Sequence, residues 1–156
     1  MSTQVEHASS APGPQDDHRL IRLLEADPEL ADGAPEDQLA AAVGRTIARV
    51  VTLAPGGWSP ASLRGVDKAT GPFAAIVLNG LVARDVVLAD RVATQLIGRG
   101  DVITLGEWSD GSPPVRTEWR VAARAELAVL DGRFLAAAQR WPWLTARMPA
   151  RTISAM

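Results

Sequence analysis

The stretch LIGRGDVITLGEW, Leu96 to Trp108, reads as a strand, a glycine-punctuated turn, another strand and a Gly-Glu pair. Gly98 and Gly100 can take positive φ without penalty, so Gly98–Asp101 reads as a tight turn. Concave runs of backbone N–H groups favour an anion. Gly106-Glu107 follows that turn. The stretch is therefore either a ligand cradle or the corner of a β-barrel, and the elements around it must decide.

Other chemistry is narrowly bounded. There are no cysteines, which excludes disulfides, thiolate chemistry and Cys-ligated zinc. The two histidines, His7 and His18, fall in the leader and in the first expected helix. Neither lies on a barrel strand, so the facing His pairs of a metal-binding roll are not expected. Asp16, Asp17, Glu36 and Asp37 read as helix caps rather than metal ligands. Trp119, inside a strand, reads as core. Trp141 and Trp143 flank Pro142 at a helix junction, packing on the roll or forming a partner surface. Arg133, Arg140, Arg147 and Arg151 read as a solvated face.

The positioning elements follow from periodicity. Asp16 or Asp17 caps a helix through HRLIRLLEAD, with Leu20, Leu23 and Leu24 on one face. A second helix starts near Pro35, carries Leu39, Ala42 and Val43 inward, and fades after Gly44. From Ile47 the period changes. TIARVVTL is a β-branched strand bounded by the turn cluster APGG. WSPASLRGVDKATGP is a loop with room for a short strand near Ser62–Leu63. FAAIVLNGLVARDVVL is two apolar runs around Asn79-Gly80, the strongest short hairpin or bend signal. Leu81, Ala83, Asp85 and Val87 share one face; Val82, Arg84, Val86 and Leu88 share the other. A turn at Ala89-Asp90 returns the chain through RVATQLI. VITL is a short strand, and a long loop precedes two strands, Thr117–Ala122 and Glu126–Leu130. Asp131 caps GRFLAAAQRW, and PWLTARM starts a last helix that Pro149 interrupts.

A chain of 156 residues supports one domain with a core. The apolar content of 47% is ordinary for a globular protein, and a net charge of −2 argues against a nucleic-acid surface in this segment. No apolar run is long enough to span a bilayer as a helix. The expected layout is a disordered leader over 1–15, a domain over 16–148 and a short tail over 149–156. The expected fold is mainly β: a double-stranded β-helix, or jelly roll, with flanking N- and C-terminal helices.

At this point FAAIVLNGLVARDVVLADRVATQLIGRGDVI resembles the core of the cyclic-nucleotide-binding-like sensor domain. That domain is the N-terminal half of regulators of the catabolite activator and fumarate/nitrate regulator (Crp/Fnr) superfamily. The matching features are the apolar strand ending at Gly80, the hairpin at Ala89-Asp90, and the turn Gly98, Gly100, Asp101. RAELAVLDGRFLAAAQRWP is similar to the family's last roll strand and the helix after it. The resemblance spans about Asp17 to Leu144.

The resemblance implies a non-catalytic, cytoplasmic sensor domain of a transcription regulator, with homodimerisation and no cofactor or membrane contact. Its ligand would be a small anion such as a cyclic nucleotide, or would have been lost. Gly106 would supply backbone N–H groups, Glu107 would accept from a sugar hydroxyl, and Arg116 with Thr117 would pair with the phosphate. Glu118 and Trp119 stand where that pattern has small residues. The family's long dimer helix and DNA-reading helix-turn-helix are not evident, so DNA contact is expected only through a C-terminal domain beyond this chain. The competing readings are a degenerate dimerisation scaffold and a cupin-type enzyme, the latter needing two His and a carboxylate inside the barrel.

Overall fold

The computed structural model describes residues 15–63, 71–105, 116–148 and 152–154. Two long strands organise it. β4 (Ala74–Leu88) and β7 (Arg116–Leu130) pair antiparallel along their lengths, yet their two halves have different outer neighbours. Ala74–Ile76 of β4 takes β6 (Val102–Thr104), whereas Val82–Leu88 takes β5 (Arg91–Ile97). Ala125–Val129 of β7 takes β2 (Ile47–Leu53), whereas Trp119–Val121 takes β3 (Gly56–Trp58). One sheet therefore runs β2-β7-β4-β6 and the other β3-β7-β4-β5. Counting each half of β4 and β7 as a strand gives the two interleaved sheets of a jelly roll. β1 (Gln15–Arg22) lies outside β2, and β8 (Thr152–Ser154) lies parallel to β6.

The strands cross between sheets at one place. The β4–β7 register shifts repeatedly between Val77 and Val82, and Gly80 sits at φ +89 in the middle of it. Extra residues in one strand break the ladder and bend it. A Cβ at Gly80 would lie 2.1 Å from the Arg124 carbonyl oxygen and 2.5 Å from Ala125 Cα. Only glycine lets the two backbones approach this closely at that φ.

The first sheet is buried on both faces. Its outer side, with Ala48, Ala74, Ile76, Ala128 and Leu130, packs under α1 (Leu23–Ala26), α2 (Glu36–Arg45), α3 (Gly132–Ala138) and α4 (Pro142–Arg147). Phe134, Trp141 and Leu144 fill that layer. The alternate residues, Val51, Leu53, Ala75, Val77, Ile103, Leu127 and Val129, face the roll interior and meet Val82, Ile97 and Val121 of the second sheet. Burial on both sides explains the near-continuous apolar runs in these strands.

Asp131 caps α3 as its position suggested: its Oδ1 accepts from the backbone N–H of Arg133 and of Phe134, each at 3.0 Å. Asp131→Ala is expected to cost about 1 kcal/mol, read as a melting temperature lower by roughly 2–4 °C. Asp131→Asn keeps the acceptor and should stay close to the native value.

Several local expectations are corrected. Residues Gln15–Arg22 form a strand, not a capped helix, and Leu20 is 67% exposed. Pairing with the free edge of β2 outweighs the helical spacing there. Helix α1 keeps only Leu23–Ala26, with Leu23 and Leu24 buried. Gly56 and Gly57 open β3 instead of closing a turn. Ser62 and Leu63 end a 3₁₀ turn, Pro60–Leu63, and form no strand. Gly80 does not end a strand, because β4 continues through it, and β7 is one strand rather than two. The hairpin at Ala89-Asp90 stands, with Leu88 opposite Arg91.

Candidate functional site

The Gly98–Asp101 turn is a corner of the roll. The Gly98 N–H donates to Asp101 Oδ2 at 2.8 Å, and the Asp101 N–H donates to the Gly98 oxygen at 3.0 Å. The Gly100 N–H donates to the Val77 oxygen at 2.8 Å, tying the turn to β4. Gly100 has φ +88, while Gly98 needs no positive φ. These N–H groups are spent inside the fold, beside a carboxylate, and none of them is left for an anion.

Gly106 and Glu107 lie outside the described residues. Arg116 opens β7 with its side chain 77% exposed, and its Nη2 pairs with Glu118 Oε1 at 2.6 Å. Residues i and i+2 of a strand share a face, so both stand on the outer side of the roll. Thr117, between them, faces the interior. The structure therefore does not bring Arg116 and Thr117 to one surface. Exposed ion pairs contribute little, and Arg116→Ala is expected to change stability by less than about 0.5 kcal/mol in a chemical denaturation curve.

A different group converges inside. Trp58 of β3 lies opposite Trp119 of β7, which lies opposite Arg84 of β4, which lies opposite Gln95 of β5. All four are partly buried, on the same face as the core residues Val82, Val121 and Ile97. The two indoles meet edge to face, centroids 6.0 Å apart at 87°. Arg84 Cζ stands 5.8 Å from the Trp119 ring centroid, a cation–π contact. Burial lowers the pKa of Arg84 from its ordinary value, since a charge there has lost part of its water. Thr117, two residues along β7 from Trp119, adds a hydroxyl to this layer. Its Oγ1 and the Trp58 Nε1 are both buried with no hydrogen-bond partner among the described residues.

Charge is sorted across this sheet. Asp85, Thr94, Arg120, Arg116 and Glu118 all stand outside, where Arg120 Nε approaches Asp85 Oδ2 at 3.5 Å and the Thr94 hydroxyl donates to Asp85. Among the described residues the inner face carries Arg84, Gln95, Thr117 and Trp58 as its polar groups, with Arg91 on the same face at the exposed end of the hairpin and no carboxylate. Alternation groups Arg84 with Val82 and Val86 but does not say which face is inside. Trp119 packs against the interior cluster as its place in a strand implies, and Trp58 packs beside it. Their polar edges were the missed signal.

No family model and no curated protein matches this chain. Solved structures do match. One is a CooA mutant from Carboxydothermus hydrogenoformans, 12% identical, with TM-score 0.49 over 96% of this chain and 80% of that one. The heme domain of CooA from the same organism is 12% identical, with TM-score 0.47 over 83% and 81%. The heme domain of CooA from Rhodospirillum rubrum is 13% identical, with TM-score 0.48 over 79% and 81%. Such values carry no conclusion about ligand or activity, and the jelly roll rests on its own strand pairing.

Proposed function

We propose that this chain is a non-catalytic, ligand-sensing roll, the sensor part of a Crp/Fnr-like transcription regulator. The observation that carries the reading is the polar and aromatic layer of Trp58, Trp119, Arg84, Gln95 and Thr117 inside a roll whose interior cluster of described residues is otherwise apolar. Buried polar atoms without partners cost stability unless something else satisfies them. A sensing domain has a use for such atoms that a pure scaffold lacks.

A cupin-type enzyme fits poorly. His18 belongs to β1, the edge strand outside β2, and His7 lies outside the described residues. Among the described residues no three His, Cys, Asp or Glu gather as a metal site. The haem in the names of the two solved domains does not transfer either. Haem iron takes His, Cys, Met or Tyr as axial ligand, and the described residues facing the roll interior include none of these.

The test is thermal denaturation with cyclic AMP and cyclic GMP. A ligand at a hundred times its Kd stabilises by about 2.7 kcal/mol, a rise of roughly 5–10 °C for a domain of this size. No shift with either at millimolar concentration removes cyclic nucleotides as ligands. A dimerising scaffold is the second reading, favoured by Leu88, Val92 and Leu96, which are 56–62% exposed on the β4–β5 hairpin. Mass that rises with concentration in sedimentation, without any ligand response, supports that reading over sensing.

A further inference from the structure

We infer that the roll binds a small oxyanion, a carboxylate or phosphate, on the inner face of its second sheet, held by Arg84, Thr117 and Trp58 rather than by Arg116. This rests on the sensing reading and names the chemical class and the place of the ligand. Three observations carry it. The indole N–H of Trp58 and the hydroxyl of Thr117 are buried donors with no partner among the described residues. The register sets all three around Trp119: Trp58 one strand spacing to one side, Arg84 one strand spacing to the other, and Thr117 one i, i+2 step along β7. Those steps are about 5 and 7 Å, the span of a small ligand head group. The face has donors and a positive charge, while the carboxylates Asp85 and Glu118 point outward and are paired there.

Each donor suits an oxyanion. An indole N–H can only donate, and a threonine hydroxyl can donate to an oxygen that has no proton of its own. A guanidinium carries five N–H donors, so Arg84 can keep a protein neighbour and still reach an anion oxygen. Its stacking on Trp119 holds the fork in place. Charge-assisted hydrogen bonds in a half-dry layer are the strong kind. Arg116, exposed and neutralised by Glu118, offers none of this.

The experiment uses three probes of similar shape: phenyl phosphate, benzoate and the neutral benzyl alcohol. Binding is followed by titration calorimetry and by the shift in melting temperature of the whole chain. Phenyl phosphate or benzoate is expected to bind and benzyl alcohol is not, and whichever anion binds more tightly identifies the head group. Arg84→Met and Thr117→Val are expected to raise Kd at least tenfold, while Arg116→Ala leaves it unchanged. Arg84→Lys keeps the charge without the fork, and is expected to bind between the native protein and Arg84→Met. Thr117→Val removes a buried unsatisfied hydroxyl and should itself melt higher, which shows that its loss of binding is not a loss of fold.

Unchanged affinity in both Arg84→Met and Thr117→Val overturns the site. A shift with benzyl alcohol or a cyclic nucleotide that Arg84→Met leaves intact also overturns it, while sparing the sensing reading. Silence of both anions overturns the oxyanion site, and silence of the cyclic nucleotides as well takes the sensing reading with it.

Discussion

Replacing Gly80 by alanine is expected to lower the melting temperature by roughly 10 °C. Two costs act together. The residue is held at φ +89, where an L side chain costs about 1–2 kcal/mol. The new Cβ would also meet the Arg124 carbonyl oxygen at 2.1 Å and Ala125 Cα at 2.5 Å. Both contacts are backbone, so no side chain can rotate away. Forcing extra volume into a packed site costs a further 1–3 kcal/mol or so. The strain falls where β4 and β7 pass from one sheet to the other, and so it also loosens the layer of Trp58, Trp119 and Arg84 beyond the crossing. Gly44→Ala is the control. It sits in α2 with nothing within 4 Å of the added Cβ. Removing glycine from a helix is worth about 0.5–1 kcal/mol, so this variant should melt slightly higher. A Gly80→Ala protein that melts within about 3 °C of the native one means that the two strands separate at the crossing without penalty, and the account of the bend then fails.

Phe134→Ala is expected to cost about 3–5 kcal/mol. Phe134 is 2% exposed and is among the largest side chains fully enclosed in the fold. It projects from the first turn of α3 into the cluster that joins the helices to the outer face of the first sheet. Truncation leaves a cavity bounded by β7 and the neighbouring helices, which cannot collapse without breaking the Asp131 cap and the sheet register. The comparison is Leu135→Ala, one residue along the same helix and 38% exposed. It removes a side chain from the solvent side and is expected to cost less than about 1 kcal/mol. Urea unfolding measures both. A fall in midpoint for Phe134→Ala with an unchanged slope locates the loss in the native core. Equal losses in the two variants would show that the helical layer adds little beyond helix propensity.

Much of this architecture was readable from local signals. The β-branched run Ile47–Leu53, the Ala89-Asp90 hairpin, the helix after Pro35 and the Asp131 cap each depend on residues within a few positions of one another. Their physics is complete inside a short window. The segment Gln15–Arg22 failed for the opposite reason. Its leucines satisfy a helical spacing, but the open edge of β2 offers backbone partners that no nearby residue reveals. Asn79-Gly80 reads locally as a hairpin or a bend, and it is a bend because the partner strand β7 arrives from about forty residues later to sit against the glycine.

The candidate site divides in the same way. By itself the sequence determined that this chain has no thiol chemistry and few imidazoles, that Arg84 and Asp85 must face opposite ways, and that Arg116 and Thr117 must as well, because strand geometry alternates by covalent necessity. Alternation carries no sign. Which face turns inward was decided only when the second sheet closed over the apolar residues of the first, putting Arg84 and Thr117 inside with the two tryptophans and leaving Arg116 in water with Glu118.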